Sequence, residues 1–225
     1  MMMAAGYEKA AGGRNGGGEN KGVSLGIDLT TFGLPVKSAA AAEWVCNGFR
    51  VVPCEPLGRK PLVAGGYAVA SSNVEQVKEW WARWPDANIG VAAGRGLVAL
   101  VLSTPYAVTV LKRLGLDTRF LLRSTFGYKT RKGWAFLFRS DVPVSLPADF
   151  DHLEHPVCGA VKSWRRIGFE KRSHVTALGE GGGLLVPPSR LRTFNYRFRG
   201  KSGVPSFRSL GPWGHVVPFL EGWCA

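Results

Sequence analysis

The chain has 225 residues, enough for one sizeable core and too few for several independent domains. A hydrophobic content of 45%, with eight Trp and twelve Phe, excludes a mostly disordered chain, and no apolar run reaches the ~18–20 residues of a membrane span. Twenty-nine Lys and Arg against sixteen Asp and Glu give a net charge of +13, a field that attracts polyanions, nucleic acid first among them.

The N-terminus lacks the apolar segment of a secretory signal, so a soluble, cytoplasmic protein with no membrane partner is expected. Cys46, Cys54, Cys158 and Cys224 form no C-x-x-C pair and read as reduced, structural thiols. Residues 1–22 hold seven glycines and no apolar period, the composition of a flexible tail, which leaves 23–225 as a single domain. Within it, residues 23–34 fit either a short strand or a packed arm.

Ser38 is placed to cap an alanine-rich helix that ends at Asn47-Gly48, with a strand over 49–54 directly after it. The loop EPLGRKP then presents Arg59 and Lys60 between prolines, as phosphate contacts or solvated loop charges. Ser72 or Asn73 caps a second helix, on which Val77, Trp80, Trp81 and Trp84 recur on one face until Pro85. A short strand over 89–93, a Gly94-Arg95-Gly96 turn and the apolar run Leu97 to Leu102 follow, the last reading as a strand central in its sheet. The end of such a strand, at Ser103 and Thr104, is the first place to look for chemistry.

Thr104 and Pro105 open a scaffold helix with Val108, Leu111 and Leu114 on its apolar stripe, closed by Gly115. Residues 120–122 fit a strand leading into a basic segment that carries Lys129, Arg131 and Lys132, and 134–138 an aromatic strand. Between Lys112 and Arg139 Asp117 is the only acidic residue. His152, His155 and Cys158 are metal-competent types, with His174 as a candidate fourth ligand, but without a C-x-x-C knuckle a surface loop is the expectation and no metal site is assigned. Strands are expected over 158–164 and 167–178, and GEGGG, lying between two strands, reads as a hairpin turn. From Gly181 to Leu220 there are six basic residues and no acidic one. Arg192, Phe194, Tyr196 and Phe198 alternate with Thr193, Asn195, Arg197 and Arg199, a pattern expected as one strand that displays guanidinium groups, whose aromatics serve either a core face or the bases of a single strand.

The segment WWARWPDANIGVAAG with the apolar strand after it resembles the bifunctional DNA primase/polymerase domain, a branch of the archaeo-eukaryotic primase superfamily found in phage and plasmid replication proteins. The helix, the Val- and Pro-containing strand and the GRKP loop extend the resemblance back to residue 37, and HVTALGEGGGLLVPPSR extends it forward to about 200. It implies an α/β (α+β) fold, with an N-terminal helix and strand lobe packed on a mainly antiparallel, RRM-like sheet.

It also implies a site. In the family the central strand ends in an Asp-x-Asp pair, projecting to one face, that holds paired metal ions. The positions that align here are Val101 and Ser103. A histidine that seats the incoming nucleotide aligns with Ala135, and a third aspartate with Thr176. Valine and alanine offer no ligand, and a hydroxyl is a poor substitute for a carboxylate. The expectation is a catalytically degenerate, DNA-binding relative that needs no cofactor and acts in replication of a phage, plasmid or similar element. Arg59, Lys60, Lys129, Arg131 and Lys132, with the four arginines at 190, 192, 197 and 199, would hold nucleic acid. Two alternatives stand beside it. One is an active enzyme using Mg or Mn on relocated ligands such as Asp141, Asp151 or Glu180; the other is a nucleotide-sensing or protein-interaction module. Nucleoside triphosphate and other replication proteins are further candidate partners.

Overall fold

The computed structural model describes residues 36–103, 105–113, 115–141, 175–199 and 203–217. The first helix, α1 (Val36–Cys46), buries Ala41, Ala42 and Trp44, small residues letting the helix approach while the indole fills the gap between layers. Trp44 Nε1 donates to Pro187 O at 2.8 Å, which satisfies the buried donor. Gly48, at φ 94°, ends the helix: its N–H reaches Val45 O and the Phe49 N–H reaches Trp44 O, the paired bonds of a Schellman motif. Ser38 does not cap this helix. It lies buried in the first turn, because α1 begins earlier at Val36 and Lys37 Nζ ties that turn to Asp86 O at 2.7 Å.

Strand β1 (Val51–Cys54) pairs with β2 (Asn88–Ala92), and β2 with β7 (Gly183–Leu185), in a three-stranded sheet. Between β1 and β2, α2 (Val74–Arg83) starts at Asn73, whose Oδ1 accepts from the N–H groups of Glu75 and Gln76 at 2.8 and 3.3 Å. Val77 and Trp81 are buried, while Trp80 and Trp84 pack half-buried at the margin of the same core. The second sheet runs β4 (Phe126–Lys129), β5 (Trp134–Arg139), β3 (Leu97–Leu102), β6 (Val175–Leu178), so the apolar run is an interior strand as its composition predicts. Every ladder in both sheets is antiparallel.

The period of two in β3 divides the molecule into two cores. Leu97 and Ala99 face the three-stranded sheet, α1 and α2; Val98, Leu100 and Leu102 face the other way, with Leu111 of α3 (Pro105–Arg113) and Leu121 of α4 (Thr118–Ser124). Here the expected strand over 120–122 is corrected to the helix α4. Three apolar residues carry either period, and Asp117 decides: its Oδ1 accepts from the Arg119 N–H at 3.1 Å and caps the helix. The basic segment after it holds β4, which pairs with β5 around a turn at 130–133.

Two more expectations change. GEGGG closes no hairpin, because β6 pairs with β3 and β7 with β2; the turn carries the chain from one sheet to the other. The alternating segment over 192–199 is not one strand either. Arg190 pairs with Asn195 and Leu191 with Phe194, forming a short hairpin of β8 (Arg190–Leu191) and β9 (Phe194–Asn195) with Arg192 and Thr193 at its turn. Its alternation of burial survives, Tyr196 buried and Arg197 exposed, since the facing of side chains needs extended backbone but no ladder. The expected tail over 1–22, the arm over 23–34, the strands over 158–164 and 167–174 and the His152, His155, Cys158 and His174 group lie outside the described residues, as do Thr104 and Leu114.

Candidate nucleic-acid interface

The sheet register assembles a row. Tyr128 of β4 is opposite Ala135 of β5, Ala135 is opposite Val101 of β3, and Val101 is opposite Thr176 of β6. Ser103 stands two residues beyond Val101. All five line one cavity of about 340 Å³ between the two sheets, with Tyr67, Tyr196 and the β7 backbone as its far wall and Arg59 and Lys132 at its rim. The four positions aligned to the family's ligands, taken from three separate segments of the chain, therefore converge on one surface.

Tyr67 lies in a slot made by two glycines. A Cβ on Gly183 would stand 2.1 Å from its ring and one on Gly90 2.9 Å, so only glycine leaves room for the ring between β2 and β7. Tyr128 Oη donates to Leu185 O at 2.7 Å, linking the two sheets across the back of the cavity. Burial holds the Tyr67, Tyr128 and Tyr196 phenols above their ordinary range; at Tyr196 the neighbouring guanidinium groups of Arg59 and Arg131 oppose it. All three stay protonated at neutral pH. The cavity thus combines neutral hydroxyls with cations.

The donor set does not suit the divalent cations that the family uses. Ser103 and Thr176 contribute one neutral hydroxyl each, Val101 and Ala135 nothing, and the described lining includes no carboxylate or imidazole. Among the described residues, no group of three His, Cys, Asp or Glu could hold a metal ion. Two of the substitute carboxylates are placed elsewhere. Glu180 accepts from the Arg95 N–H and secures the turn at 94–96, where Gly94, Arg95 and Gly96 have φ of 87°, 50° and 88°. Asp141 is exposed beyond the end of β5, 3.6 Å from Arg139. Asp151 lies outside the described residues.

The cations fall into two groups. Arg59 and Lys132 line the cleft, and Arg131 is exposed beside it, close enough to Tyr196 to act on its phenol. Lys60 is exposed on the same loop as Arg59 but lines neither cavity described here, its backbone carbonyl accepting from Glu55 N at 2.8 Å. Lys129 and the arginines at 190, 192, 197 and 199 line a second cavity instead.

A buried residue that the sequence reading did not single out positions both groups. Asn88 Nδ2 donates to Gly58 O at 3.0 Å and to Arg190 O at 2.7 Å, and its Oδ1 accepts from Arg190 N at 2.9 Å. One amide thereby holds the backbone beside Arg59 and the start of the arginine-bearing hairpin. Ser189 adds a second tie, its Oγ accepting from Ile89 N at 2.9 Å. The only signal for either was their place inside the WPDAN and VPPS segments.

An α/β chain with antiparallel sheets and a cleft at the central strand flanked by cations presents a surface suited to polyanions. The family model for the bifunctional DNA primase/polymerase, N-terminal domain matches residues 41–212, and this chain belongs to that family. Its function is accordingly primase/polymerase-like and related to DNA. A search of curated proteins finds no match to the chain. No helix among the described residues is long and apolar enough to cross a membrane.

Proposed function

We propose that this chain binds single-stranded or primer–template DNA on a primase/polymerase scaffold without itself transferring nucleotides, in replication of a phage, plasmid or similar element. One observation carries the reading: the Ala135–Val101–Thr176 row, with Ser103, lines the cleft at the positions where the family places its metal ligands, while Arg59 and Lys132 stand at the same cleft. Without carboxylates, the described lining of the cleft presents no negative charge to repel phosphates, so cations suffice to hold a strand where the family needs metal ions. A fold outlasts its chemistry because packing and catalysis rest on different side chains.

The test is fluorescence anisotropy with a labelled single strand and a primer–template duplex, in a salt series with and without manganese and nucleoside triphosphates, the same mixtures being run on a gel. Binding whose log–log salt slope is ~0.7–0.9 per neutralised phosphate, with no extended primer, is the expected result. Metal-dependent extension would overturn the non-catalytic reading and require ligands from outside the row.

A further inference from the structure

The hairpin arginines are not part of the cleft. They line a separate cavity of about 660 Å³, with Lys129 and Trp134 on one side and residues 190–195 and 197–199 on the other. The two cavities share a wall but no lining residue. Along the β4–β5 hairpin the side chains of Tyr128, Thr130 and Ala135 serve the cleft, and those of Lys129 and Trp134 the second cavity; in the C-terminal segment Tyr196 serves the first, and Phe194 and Arg197 the second. On the β4–β5 hairpin, period-two alternation thus supplies both sites from the same backbone.

Two properties of this cavity identify its ligand chemistry. Among the described residues its charged lining is all cationic, one lysine and four arginines. Its aromatic members, Trp134, Phe194 and Phe198, are half-buried and held by neighbouring groups: Trp134 stacks on Phe136 at 6.0 Å with Lys129 Nζ 5.9 Å over its ring, Phe198 stacks on Trp44 at 6.3 Å, and Phe194 meets Tyr196 edge to face at 5.2 Å. Rings held in this way, within a space in the ~300–1,000 Å³ range of small-ligand pockets, suit a flat apolar group. Guanidinium forks around them match phosphate oxygens.

We propose that this cavity is a second nucleic-acid site, taking an unpaired base of a single strand onto Phe194 and Trp134, with the flanking phosphates on Lys129, Arg190, Arg192 and Arg197. The inference rests on the nucleic-acid reading of the cleft and adds to it a site that requires an unpaired base. A paired base in duplex has its faces covered by its neighbours, so this cavity selects single strands. Because the cavities share a wall, one strand can occupy both.

The experiment compares anisotropy of a labelled oligothymidylate of roughly 12 nucleotides, within the reach of a compact single-strand site, with an abasic oligomer of equal length and charge. The wild-type chain should prefer the base-bearing strand by about 5- to 150-fold, the range that one stacked base supplies. Phe194→Ala should remove most of that preference and keep the salt slope. Arg192→Glu, on an exposed turn away from the core, should lower the slope by ~0.7 or more per lost phosphate, and its thermal melt should match the wild type. Equal affinity for the two oligomers would overturn the stacking site. If Lys132→Glu weakens binding while Phe194→Ala and Arg192→Glu behave as wild type, the second site is refuted and the cleft reading stands. If the wild type binds neither oligomer, both are refuted.

Discussion

Restoring carboxylates to the row tests the placement of the site directly. In the triple variant Val101→Asp, Ser103→Asp, Thr176→Asp, the register sets the introduced carboxylates at 101 and 176 directly opposite each other, with Cβ atoms about 4.5–5.5 Å apart, and the one at 103 two residues along the same face. Two charges ~5 Å apart at an effective dielectric of ~20 repel by about 3 kcal/mol, so without metal the variant should be less stable than the wild type by a few kcal/mol. A divalent cation removes that repulsion and adds binding energy: at 1 mM Mn and a dissociation constant of roughly 10 µM, linkage returns about 2.7 kcal/mol. At ~2–4 °C per kcal/mol for a chain of this size, manganese should raise the variant's Tm by about 5–11 °C over its value in EDTA. The wild type should shift by less than about 1 °C. Calorimetric or fluorescence melts in EDTA and in manganese give the answer. A wild-type shift as large as the variant's would mean that native ligands exist outside the row. An unresponsive, folded variant would mean that the three side chains do not converge.

Asn88→Ala should destabilise the fold by about 1–3 kcal/mol in urea unfolding, because it removes the part-buried hydrogen bonds to the carbonyls of Gly58 and Arg190 and to the Arg190 N–H; it should also weaken DNA binding through both cation groups. Gly183→Ala should expel the Tyr67 ring from its slot, since the added methyl would lie 2.1 Å from it, and lower cleft-dependent binding more than binding by the second cavity. Burial pushes the Cys54 thiol from 9.0 up to about 11. The native state therefore keeps its proton where the unfolded chain loses it, so stability falls as pH rises from about 9 to about 11, by about 2.7 kcal/mol for a shift of that size. Alkaline melts of Cys54→Ala should show a pH slope shallower by that amount.

The parts of the fold legible in the sequence are those in which one local pattern had one reading. The Val77, Trp81 stripe, the Asn73 cap and the uninterrupted run from Leu97 to Leu102 each fit a single element, and each is observed. The failures lie where a pattern was short or shared. Phe120 to Leu122 satisfies both periods, and only the Asp117 cap separates helix from strand. The 192–199 alternation records which side faces the core but not whether a partner strand is present, and GEGGG signals a turn but not which sheets it joins. For the site, the family resemblance named Val101, Ser103, Ala135 and Thr176, and the register brings them to one cavity. Tyr67 as part of its far wall had no local signal; its slot depends on Gly90 and Gly183, in strands distant in sequence.

The residues in the segments that carry the family resemblance hold the frame together from outside the cleft face. In the WPDAN and VPPS segments Asn88 bonds two loops, Pro187 accepts the Trp44 indole, and Ser189 pairs with the Ile89 backbone. Each satisfies a polar group in or beside the core, where an unpaired donor or acceptor costs ~1–3 kcal/mol. Val101, Ala135 and Thr176 instead occupy the cleft face of the sheet, where an aliphatic or hydroxyl side chain relieves charge repulsion and adds apolar packing. On the proposed non-catalytic reading, such residues in place of ligands favour stability, whereas substitution of Asn88, Trp44 or Ser189 opposes it. The frame that directs Arg59 toward the cleft and begins the arginine hairpin at Arg190 is therefore independent of the metal chemistry. A chain that keeps the frame retains two cationic surfaces in fixed relation, which is what the proposed DNA binding requires.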